Sequence, residues 1–271
     1  MDARPIGVFD SGLGGLTTVR ELCRLLPGED IVYFGDTGRV PYGSRSPETI
    51  VKYARQDVAF LRTFDLKAIV IACGTVSTTA LDVLTAENPI PVLGVVAPAA
   101  AAAARATRNG KIGLIGTQAT IRSGAYERLI RARREDARVL VQPCPLFVPL
   151  VENGRFRPGD VVIETVAAEY LEPLKQAGVD TLVLGCTHYP LLQEVIAAYM
   201  GPGVTLVNAG AEGARAAAAA LAENDALSER TAEGSCRCYV SDRQEDFSRL
   251  ASIFLGWDVT GAVEQVDISR Y

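Results

Sequence analysis

Two cysteines stand at the ends of two look-alike apolar runs, Cys73 in AIVIACGTVS and Cys186 in TLVLGCTHYP. A thiol presented from each half of a two-lobed protein supplies what is needed to move a carbon-bound proton from either face, a base on one side and an acid on the other. A free thiol has a pKa of about 8.5, so roughly a few per cent is thiolate at neutral pH, and a neighbouring charge shifts that balance. Asp10, at the end of IGVFD, and His188, the only histidine in the chain, are the candidate neighbours. A solitary His is as a rule a satisfied structural residue, but two positions after a strand-end Cys it becomes a plausible proton partner. Asp10 has its own plain alternative as a cap for the helix that follows. Lys52, Lys67, Lys111 and Lys175 fall in helices or at strand edges rather than beside these motifs, so no Schiff-base cofactor is expected.

Strands must hold those residues. The branched runs at 69–71 and 182–184 read as short strands buried on both faces, and parallel α/β sheets bind ligands beyond the carboxyl ends of their strands. The likeness extends along the chain. From Cys73 to Cys186 the offset is 113, and PVLGVV from Pro91 matches VTLVNA from Val204 at the same offset. IGVFDSG from Ile6 echoes IGLIGTQ from Ile112 at 106, and DIVYFGD from Asp30 lies against RVLVQPC from Arg138 at 108. Four strands recurring in one order indicate a duplicated unit whose second copy carries a few loop insertions. Stretches with helical periodicity at 16–26, 47–64, 123–134 and 161–176 alternate with them, the pattern of parallel βαβ units. Two Ala-rich segments, 97–106 and 211–222, follow the fourth strand of each copy and are helices by propensity. The expected fold is α/β, two similar parallel-sheet domains with the active site in the cleft between them. Residues 1–97 plus 210–271 form the first, the strand CRCYVSD returning to it, and residues 98–209 form the second.

A formal charge of −5, with no basic stripe beyond RARR at 131–134, speaks against a nucleic-acid partner. The longest apolar stretch, 89–104, is too short for a membrane span and contains Pro89, Pro91 and Pro98. Residues 1–5 carry Asp and Arg with no apolar run after them, so a cytoplasmic location and no membrane partner are expected. There the six cysteines (23, 73, 144, 186, 236, 238) are free thiols, and Cys236 and Cys238 share one strand face. A single His and the lack of any CxxC pair argue against a metal site.

The loop FDSGLGG frees backbone N–H groups at Gly12, Gly14 and Gly15 ahead of a helix, an arrangement suited to an anion. It lacks the Lys of a nucleotide-binding loop and misses the dinucleotide fingerprint by one residue, so a small carboxylate is the better ligand, and a tight turn the plain alternative. FGDTGRVPYGSRS places Pro41, Tyr42 and Gly43 in a rigid loop on the same sheet edge, after Asp36 and Thr37 as cap or turn. On residues alone, three functions remain open. One is the two-thiol enzyme; another is a two-lobed anion-binding module with its cysteines as buried hydrophobes; the third is a thiol oxidoreductase using Cys236 and Cys238.

The series FDSGLGG, DTGRVPYG, IACGT, PLVENG and LGCTHYP, in this order over nearly the whole chain, resembles bacterial glutamate racemases of the cofactor-independent aspartate/glutamate racemase group. The resemblance implies two facing α/β domains, no cofactor, interconversion of L- and D-glutamate for peptidoglycan, and a homodimer. It makes Cys73 and Cys186 the acid/base pair, supported by Asp10, Glu152 and His188. Ser11, Pro41, Tyr42, Gly43, Thr75, Thr117, Thr120 and Thr187 would line the substrate's carboxylates and ammonium, beside Asp10, Cys73, Gly74, Cys186 and His188. An aspartate or related amino-acid racemase is the alternative; CTHYP favours glutamate, because aspartate racemases typically carry an acidic residue where His188 stands. Gly74 departs from the group, which most often has Asn there. Restoring Asn is therefore expected to tighten glutamate binding by about 0.5 to 1.5 kcal/mol, the net value of one hydrogen bond.

Overall fold

The apolar runs that end in the two cysteines are strands because each is buried in the middle of a parallel sheet. The computed structural model describes residues 2–259 and 262–271. Among the described residues the strands are β1 (Ile6–Asp10), β2 (Ile31–Gly35), β3 (Ala68–Ile71), β4 (Val92–Gly94), β5 (Lys111–Gly116), β6 (Arg138–Pro143), β7 (Thr181–Leu184), β8 (Thr205–Asn208), β9 (Cys236–Val240) and β10 (Val263–Gln265). They form two sheets, β10-β9-β2-β1-β3-β4 and β6-β5-β7-β8. Every pairing is parallel.

The inner order β2-β1-β3-β4 of the first sheet is repeated as β6-β5-β7-β8 in the second, so the repeat read from the sequence is a repeat of topology. Register repeats as well: Ile6 faces Ile31 and Ala68, and Ile112 faces Val139 and Thr181. Only the first sheet is extended, by β9 pairing with β2 and β10 with β9, which returns the tail of the chain to it. In each sheet the chain leaves the central strand in one direction and comes back on its other side. That reversal opens a crevice at the carboxyl ends, between β1 and β3 and between β5 and β7.

Side-chain caps set where several helices begin. Ser46 accepts from the Thr49 amide with Pro47 at the first helical position of Pro47–Leu61, and Asp160 accepts from Val162 at the start of Val161–Gln176. The Ala-rich helices Val96–Ala106 and Ala209–Glu223 lie at the two crossings between sheets and pack on each other. Small residues allow that approach: a Cβ on Gly213 would sit 2.5 Å from Val95 Cγ1. Among the described residues no helix is long and apolar enough to cross a membrane.

Candidate active site

The carboxyl edges of the two sheets enclose a cavity of about 360 Å³, small-molecule in size. One wall comes from the first sheet, through Ser11, Gly12, residues 40–44 and Cys73, Gly74 and Thr75. Thr117, Gln118, Cys144, Glu152 and residues 185–188 bring the second sheet to it. Cys73 follows β3 and Cys186 follows β7, and they are 5% and 8% exposed, so both thiols are screened from bulk water without being sealed off from the cavity.

Cys73 Sγ lies 3.4 Å from Ser11 Oγ. Burial, and then the negative charge of Asp10, push this thiol up to about 12. Asp10 itself is fully buried behind the cavity wall. Its Oδ2 accepts from the Gly12 amide at 3.1 Å, and Thr187 Oγ1 from the other domain donates to Oδ1 at 3.5 Å. Burial raises its pKa against the pull of the His188 charge and of the Gly15 and Gly12 amides. Asp10 is thus no helix cap. The helix Leu16–Leu25 begins after Gly15 with no side-chain cap at all.

Cys186 has a different neighbour. Its Sγ is 3.9 Å from His188 Nδ1, and His188 Nε2 is 2.9 Å from Oε1 of Glu152, the last residue of the helix Phe147–Glu152. Burial works against the imidazolium, but the hydrogen bonds to Cys186 and Glu152, with their charges, outweigh it and hold His188 up to about 10. The ring therefore keeps its proton at neutral pH and donates from both nitrogens. The first domain encloses it, with the Phe254 ring edge-on at 5.5 Å and Gly14 so near that a Cβ there would lie 2.5 Å from Nδ1.

Thr75 and Thr117 bridge the domains, their hydroxyls 2.9 Å apart, and Thr117 donates to Thr120 Oγ1 at 3.0 Å. Of the residues expected against a substrate, Ser11, Pro41, Tyr42, Gly43, Cys73, Gly74, Thr75, Thr117, Cys186, Thr187 and His188 line the cavity, as does Glu152. Asp10 and Thr120 do not; both stand behind it, their polar atoms taken up by Gly12 and Thr187 in one case and by Thr117 and Thr75 in the other. Tyr42 turns its hydroxyl away, toward Asp36 and Asp57.

Two glycine readings change. Gly14 and Gly15 do not face the cavity as an anion loop would. A Cβ on Gly14 would meet Thr187 Oγ1 at 2.1 Å, and one on Gly15 would meet Asp10 Cβ at 2.5 Å, so close packing demands them. At Gly74 a Cβ would lie 2.5 Å from the carbonyl oxygen of Gly185 in the opposite domain, so an Asn cannot be added there without moving backbone. The expected gain in affinity is therefore withdrawn.

The sequence reading missed Gln118 and Cys144 on the cavity wall. Cys144 had a signal: it is the counterpart of Asp36 at the repeat offset of 108. Cys236 and Cys238 lie 4.0 Å apart on β9, outside the cavity. Among the described residues no group of three or more His, Cys, Asp or Glu is placed to hold a metal ion.

Two parallel-sheet domains thus face each other and bring one thiol from each into a single cavity. Over residues 7–217 the sequence matches the Asp/Glu/hydantoin racemase family, and the chain belongs to it. A glutamate racemase of Geobacter metallireducens is 46% identical over 268 residues, covering 99% of this chain and 98% of that protein. The crystal structure of a glutamate racemase isoform from Bacillus anthracis superposes with a TM-score of 0.93 at 37% identity, covering 98% of each chain. That of the Francisella tularensis glutamate racemase, in complex with D-glutamate, gives 0.91 at 38% identity over 100% of each. Within the family the chain is an isomerase of the glutamate racemase group.

Proposed function

We propose that this cleft interconverts L- and D-glutamate by a two-thiol mechanism. The observation that carries the reading is the pairing of two buried thiols across one small cavity, each from the same position of a repeated unit. Cys186 as thiolate takes the α-proton of L-glutamate, and Cys73 as thiol returns a proton to the opposite face of the planar carbanion. With D-glutamate the roles exchange. His188 stands beside Cys186 as its proton partner, and Glu152 anchors the ring. Asp10 organises the Cys73 side through the Gly12 loop and the Thr187 hydroxyl. Ser11, Thr75, Thr117 and Thr187, with the backbone of residues 41–43, hold the carboxylates and ammonium, Thr120 supporting the threonine bridge from behind. The product serves peptidoglycan synthesis in the cytoplasm, and the working form is a homodimer. Residues 1–97 plus 210–271 and residues 98–209 are the two domains, a division to which the strand content of each sheet lends support.

A proton NMR time course of L-glutamate with the protein in D2O, run beside L-aspartate, tests the reading. Loss of the α-proton signal together with racemisation is expected for glutamate. Exchange confined to aspartate would overturn the substrate assignment, and no exchange with either would overturn the enzyme reading.

A further inference from the structure

One wall of the cavity, residues 40–44, has almost no regular structure to hold it, only the short 3-10 turns Thr37–Arg39 and Tyr42–Ser44. A polar cluster backs it on the side away from the cavity. The Arg39 guanidinium spends each nitrogen on a different acceptor, Nε to Asp36 Oδ2 at 2.6 Å, Nη1 to Gln56 Oε1 at 2.5 Å and Nη2 to Asp57 Oδ1 at 2.8 Å. Its Cζ lies 4.2 Å from the centre of the Tyr53 ring. Asp36 and Asp57 are both fully buried, and the Tyr42 hydroxyl sits between them, bonded to Asp36 Oδ2 and 3.2 Å from Asp57 Oδ2.

A phenol has one proton and serves one carboxylate, and two ionised carboxylates against one guanidinium would leave a buried net charge. A proton on Asp57 resolves both problems. With that proton Asp57 would donate to the Tyr42 oxygen while Tyr42 donates to Asp36 and Asp36 pairs with Arg39, leaving the cluster neutral and satisfied. Burial, followed by the charge of Asp36, drives the Asp57 carboxyl well above the usual range, as this arrangement requires. The chain after β9 closes the other end. Ser241 Oγ donates to Asp36 Oδ1 at 2.7 Å and accepts from the Gly38 amide at 2.8 Å, and the Asp242 amide donates to Thr37 Oγ1 at 3.1 Å. The loop has little slack on its cavity side, since a Cβ on Gly43 would already lie 2.8 Å from Thr117 Cβ of the second domain.

We propose that Arg39, Asp57 and Ser241 are positioning residues that fix the 40–44 wall against the substrate, tying the cleft to the C-terminal segment. None of them lines the cavity. The proposal rests on the racemase reading, and is tested by kinetic constants in both directions with melting curves alongside. An amide at 57 can accept from Arg39 and donate to Tyr42, so Asp57→Asn should keep kcat/KM within about threefold of wild type. Asp57→Ala and Arg39→Lys should lose on the order of 10²-fold, the cost of misplacing a substrate by about 1 Å. The pH profile should keep its wild-type limbs, because neither thiol nor its partner is altered. Ser241→Ala and Tyr53→Leu, at the edge of the cluster, should lose severalfold with KM rising. Wild-type kcat/KM in Arg39→Lys, or equal damage in Asp57→Asn and Asp57→Ala, overturns the proposal. Should the two drastic variants fail to fold, wild-type constants in both edge variants overturn it instead. A wild-type protein inert toward glutamate would condemn the parent reading, a separate outcome.

Discussion

Gly74 offers the sharpest test of how the cleft works, because it meets Gly185 of the opposite domain right beside the two cavity thiols. A Cβ at this position would approach the Gly185 carbonyl oxygen to 2.5 Å, about 0.9 Å inside ordinary van der Waals contact. The obstacle is backbone rather than a flexible side chain, so the strain is relieved by separating the domains. Gly74 follows Cys73 and Gly185 precedes Cys186, so any separation is transmitted at once to the distance between the thiols. A misplacement of about 1 Å costs on the order of 10²-fold in rate, or about 2.7 kcal/mol in the barrier. Gly74→Ala should accordingly lower kcat/KM roughly 10²-fold in both directions. Gly74 lacks a positive φ and begins the helix Gly74–Thr79, so the local backbone accepts alanine, which is better in a helix by up to about 1 kcal/mol. Polarimetric assay with either enantiomer, together with thermal melting, separates the two effects. A Gly74→Ala enzyme within about threefold of wild-type kcat/KM would show that the contact yields at no cost, and the reasoning would fail.

Replacing either Cys73 or Cys186 by Ala should reduce racemisation by at least about 10³-fold, since one face of the carbon loses its acid or base; near-normal turnover in either variant refutes the two-base reading. His188→Asn should slow turnover from L-glutamate more than from D-glutamate and Asp10→Asn the reverse, as measured by initial rates from each enantiomer, and equal slowing in both directions would mean a shared step such as closure. The pH dependence of stability should report His188: its folded pKa of about 10 lies above the ordinary 6.5, so its contribution is complete below about 6.5 and is lost as pH rises through 10. Melting temperatures across that window should fall in the wild type and flatten in His188→Asn, and parallel curves would exclude the histidine as the source.

The strands of the repeat were legible because their runs of branched apolar residues kept one order in both copies, whereas β10, three residues long with two of them exposed, left no such run. The same offsets reach the site, carrying Ser11 to Thr117 at 106 and the pair Gly74, Thr75 to Thr187, His188 at 113. What sequence could not display were contacts made across the cleft. Gly14 looks like part of an anion loop until Thr187 and His188 are seen against it, and Thr120 looks like a ligand group until Thr75 and Thr117 are seen to occupy its hydroxyl. Glu152 carries no local mark of its partnership with a histidine 36 positions away. Distances between domains depend on how two independently patterned surfaces meet, and no short window of residues encodes that.

The repeated strand order has a stereochemical consequence. Two copies of an L-polypeptide are superposable only by rotation and translation, whereas the two hands of an amino acid are related by reflection. No duplicated scaffold can therefore present itself identically to both enantiomers, however closely its halves agree. The halves here meet that constraint by diverging around the two cavity thiols, with a carboxylate and a serine near one sulfur and an imidazolium anchored to a glutamate near the other. Thermodynamics still requires an equilibrium constant of one between mirror images, so whatever inequality this divergence creates in turnover must be matched by an equal inequality in Michaelis constant. The handedness of the protein thus survives in how tightly and how fast it treats each enantiomer, and vanishes from where the reaction comes to rest.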